Sequence, residues 1–221
     1  MKTTITLAFG LLAALASVPA VPAEIAPFAW SRSTLDLIAS GDVTRGGEIA
    51  QKEKCQKCHG DAGIAEDDES TNIAGQVAAY SFKQLVDYRT EVRENRDMKK
   101  SVRSLSLQEM ADLAAHYAAQ APEAPAGGVE PPKLVTEGDE GRLLLACNTC
   151  HGKNGEGMGF EVPALAGQKG GHFDETMGAF RDGDRGNDQF GRMRFVASQL
   201  SPKEIAAITA FYAAPPTEEE E

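Results

Sequence analysis

Apolar positions along this chain recur at helical spacing in several stretches. Residues 44–54 read as a helix that runs into Cys55. Between Tyr80 and Glu94, Phe82, Leu85, Val86 and Tyr88 fall near the helical repeat and predict a second helix. Ser106-Leu-Gln-Glu109 is a capping-box pattern, with Met110, Leu113, Ala114 and Tyr117 following on one face. Ser201-Pro-Lys-Glu204 repeats it, with Pro202 at the favoured first helical position and Ile205, Ile208, Phe211 and Tyr212 behind. No pair of strands reads as strongly, so the pattern predicts an all-α fold.

The same pattern divides the chain. Lys2, the apolar run Ile5 to Val18 and small residues with cuts after Ala20 or Ala23 read as a secretory signal peptide over 1–23. That run is short for a bilayer span and is broken at Pro19 and Pro22. The downstream sequence then repeats itself. His59 to Gln76 and His151 to Gln168 are both 17 residues, and each Gln closes an Ala-Gly-Gln. Gly60-Asp-Ala-Gly63 matches Gly152-Lys-Asn-Gly155, and Met98 and Met193 each stand eight residues before the Ser of a capping box. Residues 121–132, rich in Pro and Gly, read as a linker between the copies. The expected organisation is an extension over 24–41, a domain over 42–120, a linker over 121–136, a domain over 137–214 and an acidic tail over 215–221. Nothing in the second copy matches the extension, which holds the chain's only Trp, Trp30; the plain reading is a strap packed over one domain.

All four cysteines lie in two C-x-x-C-H motifs, Cys55-Gln-Lys-Cys58-His59 and Cys147-Asn-Thr-Cys150-His151. That spacing suits two covalently bound haem c groups: two thiols on one helical turn can each form a thioether to a vinyl group, and the adjacent His ligates iron. A four-cysteine zinc site separates its pairs by about 15 to 20 residues, far fewer than lie between Cys58 and Cys147. A thioredoxin-type pair wants a strand-helix-strand setting, and a disulfide framework belongs to shorter, cysteine-richer chains. An exported protein of the periplasm suits both the leader and the haem chemistry.

Charge narrows the partners. The chain carries 22 basic and 33 acidic side chains, net −11; without residues 1–23 it loses only Lys2. Such an acidic protein is not an ordinary nucleic-acid binder. Residues 24–122 sum to −4 and 123–221 to −8, so the halves differ. Arg89, Arg93, Arg96, Lys99, Lys100 and Arg103 cluster around Met98 with Glu91, Glu94 and Asp97 interleaved. This reads either as a solvated, ion-paired face or as a docking rim. Glu218 to Glu221 reads as a solubilising tail.

Two copies of C-x-x-C-H-G, Ala-Gly-Gln, an amphipathic helix, a Met segment and a Leu-Ser helix start resemble the dihaem cytochrome c4 family over roughly residues 42–213. The resemblance implies two tandem class I cytochrome c domains related by a pseudo-twofold axis, with haem propionate edges near their interface. It also implies a Met as sixth iron ligand. Met98 is the candidate over Met110, which sits on an apolar helix face, and Met193 over Met158 and Met177, because only Met193 shares Met98's offset. His116 and His172 are the alternatives for His/His ligation. The family's proline, whose carbonyl accepts from the proximal His, matches Pro163 for His151; Thr71 stands at that place in the first half and lacks the fixed φ.

The function expected is electron transfer by Fe(II)/Fe(III) cycling, without a substrate bond made or broken. Cys55, Cys58, Cys147 and Cys150 anchor the haems, and His59, Met98, His151 and Met193 ligate iron. The family implies donors such as a bc1-type complex or a periplasmic dehydrogenase, and acceptors such as a terminal oxidase. Peripheral association with a membrane complex, a place as cytochrome subunit of a larger oxidoreductase, and a dihaem enzyme such as a thiosulfate dehydrogenase are the alternatives. Because every cysteine is used for attachment, a Cys axial ligand is excluded.

Overall fold

The computed structural model describes residues 28–68 and 70–215; the leader over 1–23 and the glutamates of the tail lie outside them. The architecture is helical. In chain order the helices are α1 (Arg32–Ala39), α2 (Val43–Glu53), α3 (Gln56–His59), α4 (Ala78–Arg89), α5 (Arg96–Val102), α6 (Leu107–Ala118), α7 (Lys133–Thr136), α8 (Cys147–His151), α9 (Gly170–Asp182), α10 (Arg192–Ser198) and α11 (Pro202–Tyr212). Only isolated bridges stand where strands would, among the described residues. None of the described helices is long and apolar enough to cross a membrane.

Each half closes on its own core. The first gathers Phe82 and Val86 of α4, Val102 of α5 and Met110, Leu113 and Tyr117 of α6. The second gathers Phe173, Met177 and Phe180 of α9, Ala197 of α10 and Ile205, Ile208 and Tyr212 of α11. Both closing helices start in a complete capping box: the Ser106 hydroxyl accepts from Glu109 N and the Ser201 hydroxyl from Glu204 N, while each Glu carboxylate accepts from the Ser backbone. Satisfying two otherwise orphaned N–H groups fixes where each helix begins.

The α2–α6 crossing depends on glycine. A Cβ at Gly46 would stand 2.1 Å from the Asp112 carbonyl oxygen and 2.6 Å from His116 Cβ. Backbones can approach that closely only without a side chain. Arg45 then reaches Asp112 with both Nε and Nη2 at 2.8 Å, and Asp42 N donates to the same carboxylate at 2.8 Å. The Arg45 hydrogen bond, ahead of the other contacts, holds the Asp112 carboxyl below its usual range.

The second half departs from the first ahead of its C-x-x-C-H. In place of α2 stand the single turn α7, Gly138 at φ +75° and a tight turn closed by the Asp139–Leu144 bridge. Two short helices also lie where the sequence pattern gave no helix: α5 and α10 carry Met98 and Met193. Ahead of the first half, α1 packs on α6 and α4. Phe28 meets Phe82 at 6.2 Å, and Trp30 meets Phe160 of the other half at 5.4 Å. The strap therefore touches both halves.

Residues 121–132 hold no regular secondary structure, yet they pack. Ala126 N donates to Ala213 O at 2.9 Å, and Glu123 accepts from Asn72 Nδ2 at 2.7 Å while facing the buried Lys169 at 3.3 Å.

Gly46→Ala should destabilise the first half by about 1–3 kcal/mol through overpacking, read as a fall in thermal midpoint by circular dichroism. Gly178→Ala in α9, where a Cβ would meet nothing within 4 Å, should be neutral or stabilising by up to ~1 kcal/mol. Equal midpoints for the two variants would contradict the crossing argument.

Candidate functional site

Both C-x-x-C-H segments form short helices that end in their histidine, followed by Gly60 at φ +68° and Gly152 at φ +86°. The chain then folds back under the histidine. Gly63 and Gly155, at φ +82° and +78°, stand where a Cβ would lie 2.9 Å from the Tyr117 ring and 2.5 Å from the Tyr212 ring. Their carbonyls accept from the N–H of Ile73 and Leu165 at 2.8 and 2.7 Å, which pins the returning loop. On that loop Thr71 O accepts from His59 Nδ1 at 2.9 Å, and Pro163 O accepts from His151 Nδ1 at 2.9 Å. A carbonyl only accepts, so Nδ1 carries the proton and the Nε2 lone pair is left for a metal.

Thr71 thus performs the task that Pro163 performs in the second half. Its loop is held by contacts rather than by a ring: buried Asn72 accepts from Ala65 N at 2.7 Å and donates to Gly167 O at 2.8 Å and to Glu123. Burial pulls both histidines below the ordinary imidazole value and so favours the neutral, ligating form. The same desolvation pushes the Cys55 and Cys147 thiols up. All four cysteines are free of disulfides.

These groups open into one cavity of about 1100 Å³ shared by the two halves, larger than the ~300–1,000 Å³ of a typical single-ligand site. Cys55, Cys58, His59 and Met98 line it from one half, and Cys147, Cys150, His151 and Met193 from the other. The competing methionines are placed differently. Met110 is fully buried in the first core, and Met158 is half exposed; neither borders the cavity. Met177 does border it, buried in the second core at the repeat position of Leu85. His116 Nδ1 pairs with Val43 O at 3.1 Å, away from the cavity. The His172 ring reaches the cavity but is engaged by the Thr71 and Thr176 hydroxyls at 3.2 to 3.3 Å. Burial, with Arg93 and Arg185 nearby, pulls His172 down to about 3.

Where the two halves meet on the cavity wall lies a polar partition that sequence reasoning missed. Buried Lys83 donates to Asp87 and, at 2.7 Å, to Asn187 O; Asn187 Nδ2 donates to Asp87 at 2.7 Å and to Gln84 at 2.9 Å. Arg185 reaches Tyr80 and Gln84 at 3.0 and 3.1 Å, and Arg93 reaches Gln84 at 2.9 Å. Among the described residues neither guanidinium makes an ion pair, and Asp87 is taken by Lys83 and Asn187. Desolvation first, then the like charge of Arg185, lowers Arg93 from its ordinary value. Two cations held this way call for anions. The two propionate carboxylates of a haem are such anions, and the four thiols, two neutral imidazoles and two thioethers are the donors a haem c pair needs. The residues fit the group. Arg93 belonged to the basic cluster around Met98 but turns inward, whereas Arg96 pairs with Asp97 at 3.7 Å and Lys99 with Glu91 at 2.6 Å on the surface.

Comparison with known proteins agrees with this geometry. The family model described as Cytochrome c matches residues 138–213. A cytochrome c4 of Thiocapsa roseopersicina is 35% identical over 75% of this chain and 88% of that protein. A thiosulfate dehydrogenase electron acceptor of Stutzerimonas stutzeri is 34% identical over 77% of this chain and 82% of its own length. The crystal structure of reduced recombinant cytochrome c4 from Pseudomonas stutzeri superposes with a TM-score of 0.71 at 29% identity, covering 78% of this chain and 98% of that one. Two helical class I cytochrome c units, a paired haem c complement and exchange of electrons with other redox proteins follow, and the chain belongs to the cytochrome c4 family of dihaem electron-transfer proteins.

Proposed function

We propose that the chain is a periplasmic electron carrier in which Cys55 and Cys58 anchor one haem and Cys147 and Cys150 the other. His59 and His151 are the proximal ligands, and Met98 and Met193 complete the coordination. The observation that carries this reading is the matched pair of histidine–carbonyl bonds, each 2.9 Å, beside a cavity that receives one aligned methionine from each half. When bound, haem supplies one-electron exchange between Fe(II) and Fe(III).

The residues set how readily that exchange occurs. Thr71 and Pro163 orient the imidazoles, and burial keeps them neutral. A neutral thioether is a weak donor to ferric iron, so Met98 and Met193 favour the ferrous state and raise the potential. If His59 and Met98 held one iron and His151 and Met193 the other, no position would be left open for a substrate, which supports a carrier rather than an enzyme. Arg93 and Arg185 hold positive charge at the partition, where it offsets the propionates. The domains proposed are 42–120 and 137–214, and the leader over 1–23 supports export.

Donors of the bc1 or periplasmic-dehydrogenase type and a terminal oxidase as acceptor suit such a carrier. The relative named as a thiosulfate dehydrogenase electron acceptor favours the dehydrogenase as donor. A second reading makes the chain the cytochrome subunit of such a dehydrogenase; co-purification of the untagged protein in stoichiometric complex would favour it.

Intact mass and pyridine haemochrome should give two acid-acetone-resistant haems per chain. Met98→Ala and Met193→Ala should each remove about half of the near-infrared sulfur-to-iron band of the ferric protein. If neither variant weakens the band, another residue is the ligand.

Arg93→Gln and Arg185→Gln should lower the haem midpoint potentials at alkaline pH. Each leaves a propionate without its cation, so the carboxyl's pKa rises and the potential recovers as the pH falls and the group takes a proton. Potentials equal to wild type from pH 5 to 9 would contradict the assignment.

Exchange with a dehydrogenase donor should slow as salt rises, because surface charges are screened over ~10 Å at 0.1 M. If an acidic partner docks at the first half, reversing Arg96, Lys99 and Lys100 to Glu should slow exchange and flatten that dependence. Rates that rise with salt for every partner would count against a charge-assisted carrier.

A further inference from the structure

The two Ala-Gly-Gln repeats place their glutamines on the opposite half. Gln168 Oε1 accepts from Asn72 N at 2.8 Å and its Nε2 donates to Asn72 O at 3.0 Å. Gln76 Oε1 accepts from Ala164 N at 2.8 Å and its Nε2 donates to Ala164 O at 3.1 Å. Each amide is itself braced, Gln168 Oε1 by Lys169 N and Gln76 Oε1 by Val77 N, both at 2.9 Å. Gln76 is buried.

The residues they grip are not arbitrary. Asn72 N–H and Thr71 C=O belong to one planar peptide unit, as do Ala164 N–H and Pro163 C=O. Those two carbonyls accept from His59 and His151. A continuous chain therefore runs from imidazole N–H to carbonyl, through one peptide, and from that peptide's N–H to the glutamine of the other half. Hydrogen bonds in series polarise one another. A glutamine oxygen drawing on the peptide N–H makes the carbonyl a stronger acceptor, and a stronger acceptor makes the imidazole a more basic ligand.

We propose that Gln76 and Gln168 are crossed positioning residues, each setting the proximal histidine of the opposite half: Gln76 that of His151, and Gln168 that of His59. The proposal rests on the reading of His59 and His151 as the iron ligands. It gives the Ala-Gly-Gln repeat a role in tuning the two potentials, beyond joining the halves.

The crossing supplies a test that simple structural support does not mimic. In the wild-type holoprotein, NMR should first show two haems with imidazole-ligated iron; if it does not, the ligand reading is at fault rather than this one. Gln76→Met should then move the His151 ring N–H resonance, speed exchange of the Ala164 amide and raise the potential of the second haem, leaving the first near wild type. Gln168→Met should do the reverse, through His59 and the Asn72 amide. The expected change in the affected haem is about threefold in its reduction equilibrium, or ~28 mV at 59 mV per tenfold for one electron. Shifts confined to the glutamine's own half, equal in both haems or absent from both would overturn the proposal. If the Met variants fail to load haem, Gln76→Glu and Gln168→Glu keep the acceptor oxygen and should lower the potential of the opposite haem more than that of their own; the reverse order would overturn it.

Discussion

A histidine that is to ligate a metal must be neutral, with its lone pair exposed and its ring held in one orientation; burial secures the first condition, and a single donated hydrogen bond secures the other two. In this chain that bond is Nδ1–H to a loop carbonyl. Its demands explain the neighbouring sequence. The loop must pass close under the imidazole, so glycine stands at Gly63 and Gly155 against Tyr117 and Tyr212. The loop must also be rigid, so the Gly63 and Gly155 carbonyls, Asn72 and the two glutamines all fasten it. The offset between the halves reflects the same need. It is 92 residues throughout the cysteines, histidines and glutamines and widens to 95 by the time the methionines are reached. Length changed mainly in the connection ahead of the methionine helix, residues 90–95 in one half and 183–191 in the other, and not where one bond had to be aimed.

Features dictated locally were legible in the sequence. C-x-x-C-H is one turn of chain, and the capping boxes at Ser106 and Ser201 need only residues three apart, so motif and helix starts could be read directly. The α4 and α6 faces were legible because helical periodicity records which side is buried. What escaped was non-local. Nothing near Lys83 or Arg185 in sequence announces that Lys83 reaches Asn187 and Arg185 reaches Gln84, each about a hundred residues away, and charge clustering assigned Arg93 to the surface although it turns inward. The helices α5 and α10 span seven residues each, too short for periodicity to show. The glutamines were visible as a repeat, yet repetition alone does not say whether a residue serves its own half or the other.

The partition between the halves concentrates the costliest groups in the molecule. Burying Lys83 is tolerable because Asp87 and the Asn187 carbonyl accept its protons, and burying Asp87 because Asn187 donates to it. Removing one member would leave a charge or amide without its partner in a setting where water cannot replace it. Residues of both halves build this network, so neither half's cavity wall is complete alone. The pseudo-twofold arrangement is therefore a condition for each site as well as a record of the repeat.

The segment joining the halves bears on how an electron crosses the molecule. Glu123 is fastened to Asn72 on one side and faces Lys169 on the other, and Ala126 is tied to Ala213, just past the final helix. Such a connection acts as a splint rather than a tether. Two redox centres on a loose tether meet by diffusion, and their exchange rate follows linker length and solvent viscosity. Two centres held by a splint keep one separation, so passage between them is governed by distance, driving force and reorganisation energy rather than by diffusion. In this chain the internal hop is a property of the folded state, and only the encounters with partners at either end remain for diffusion to limit.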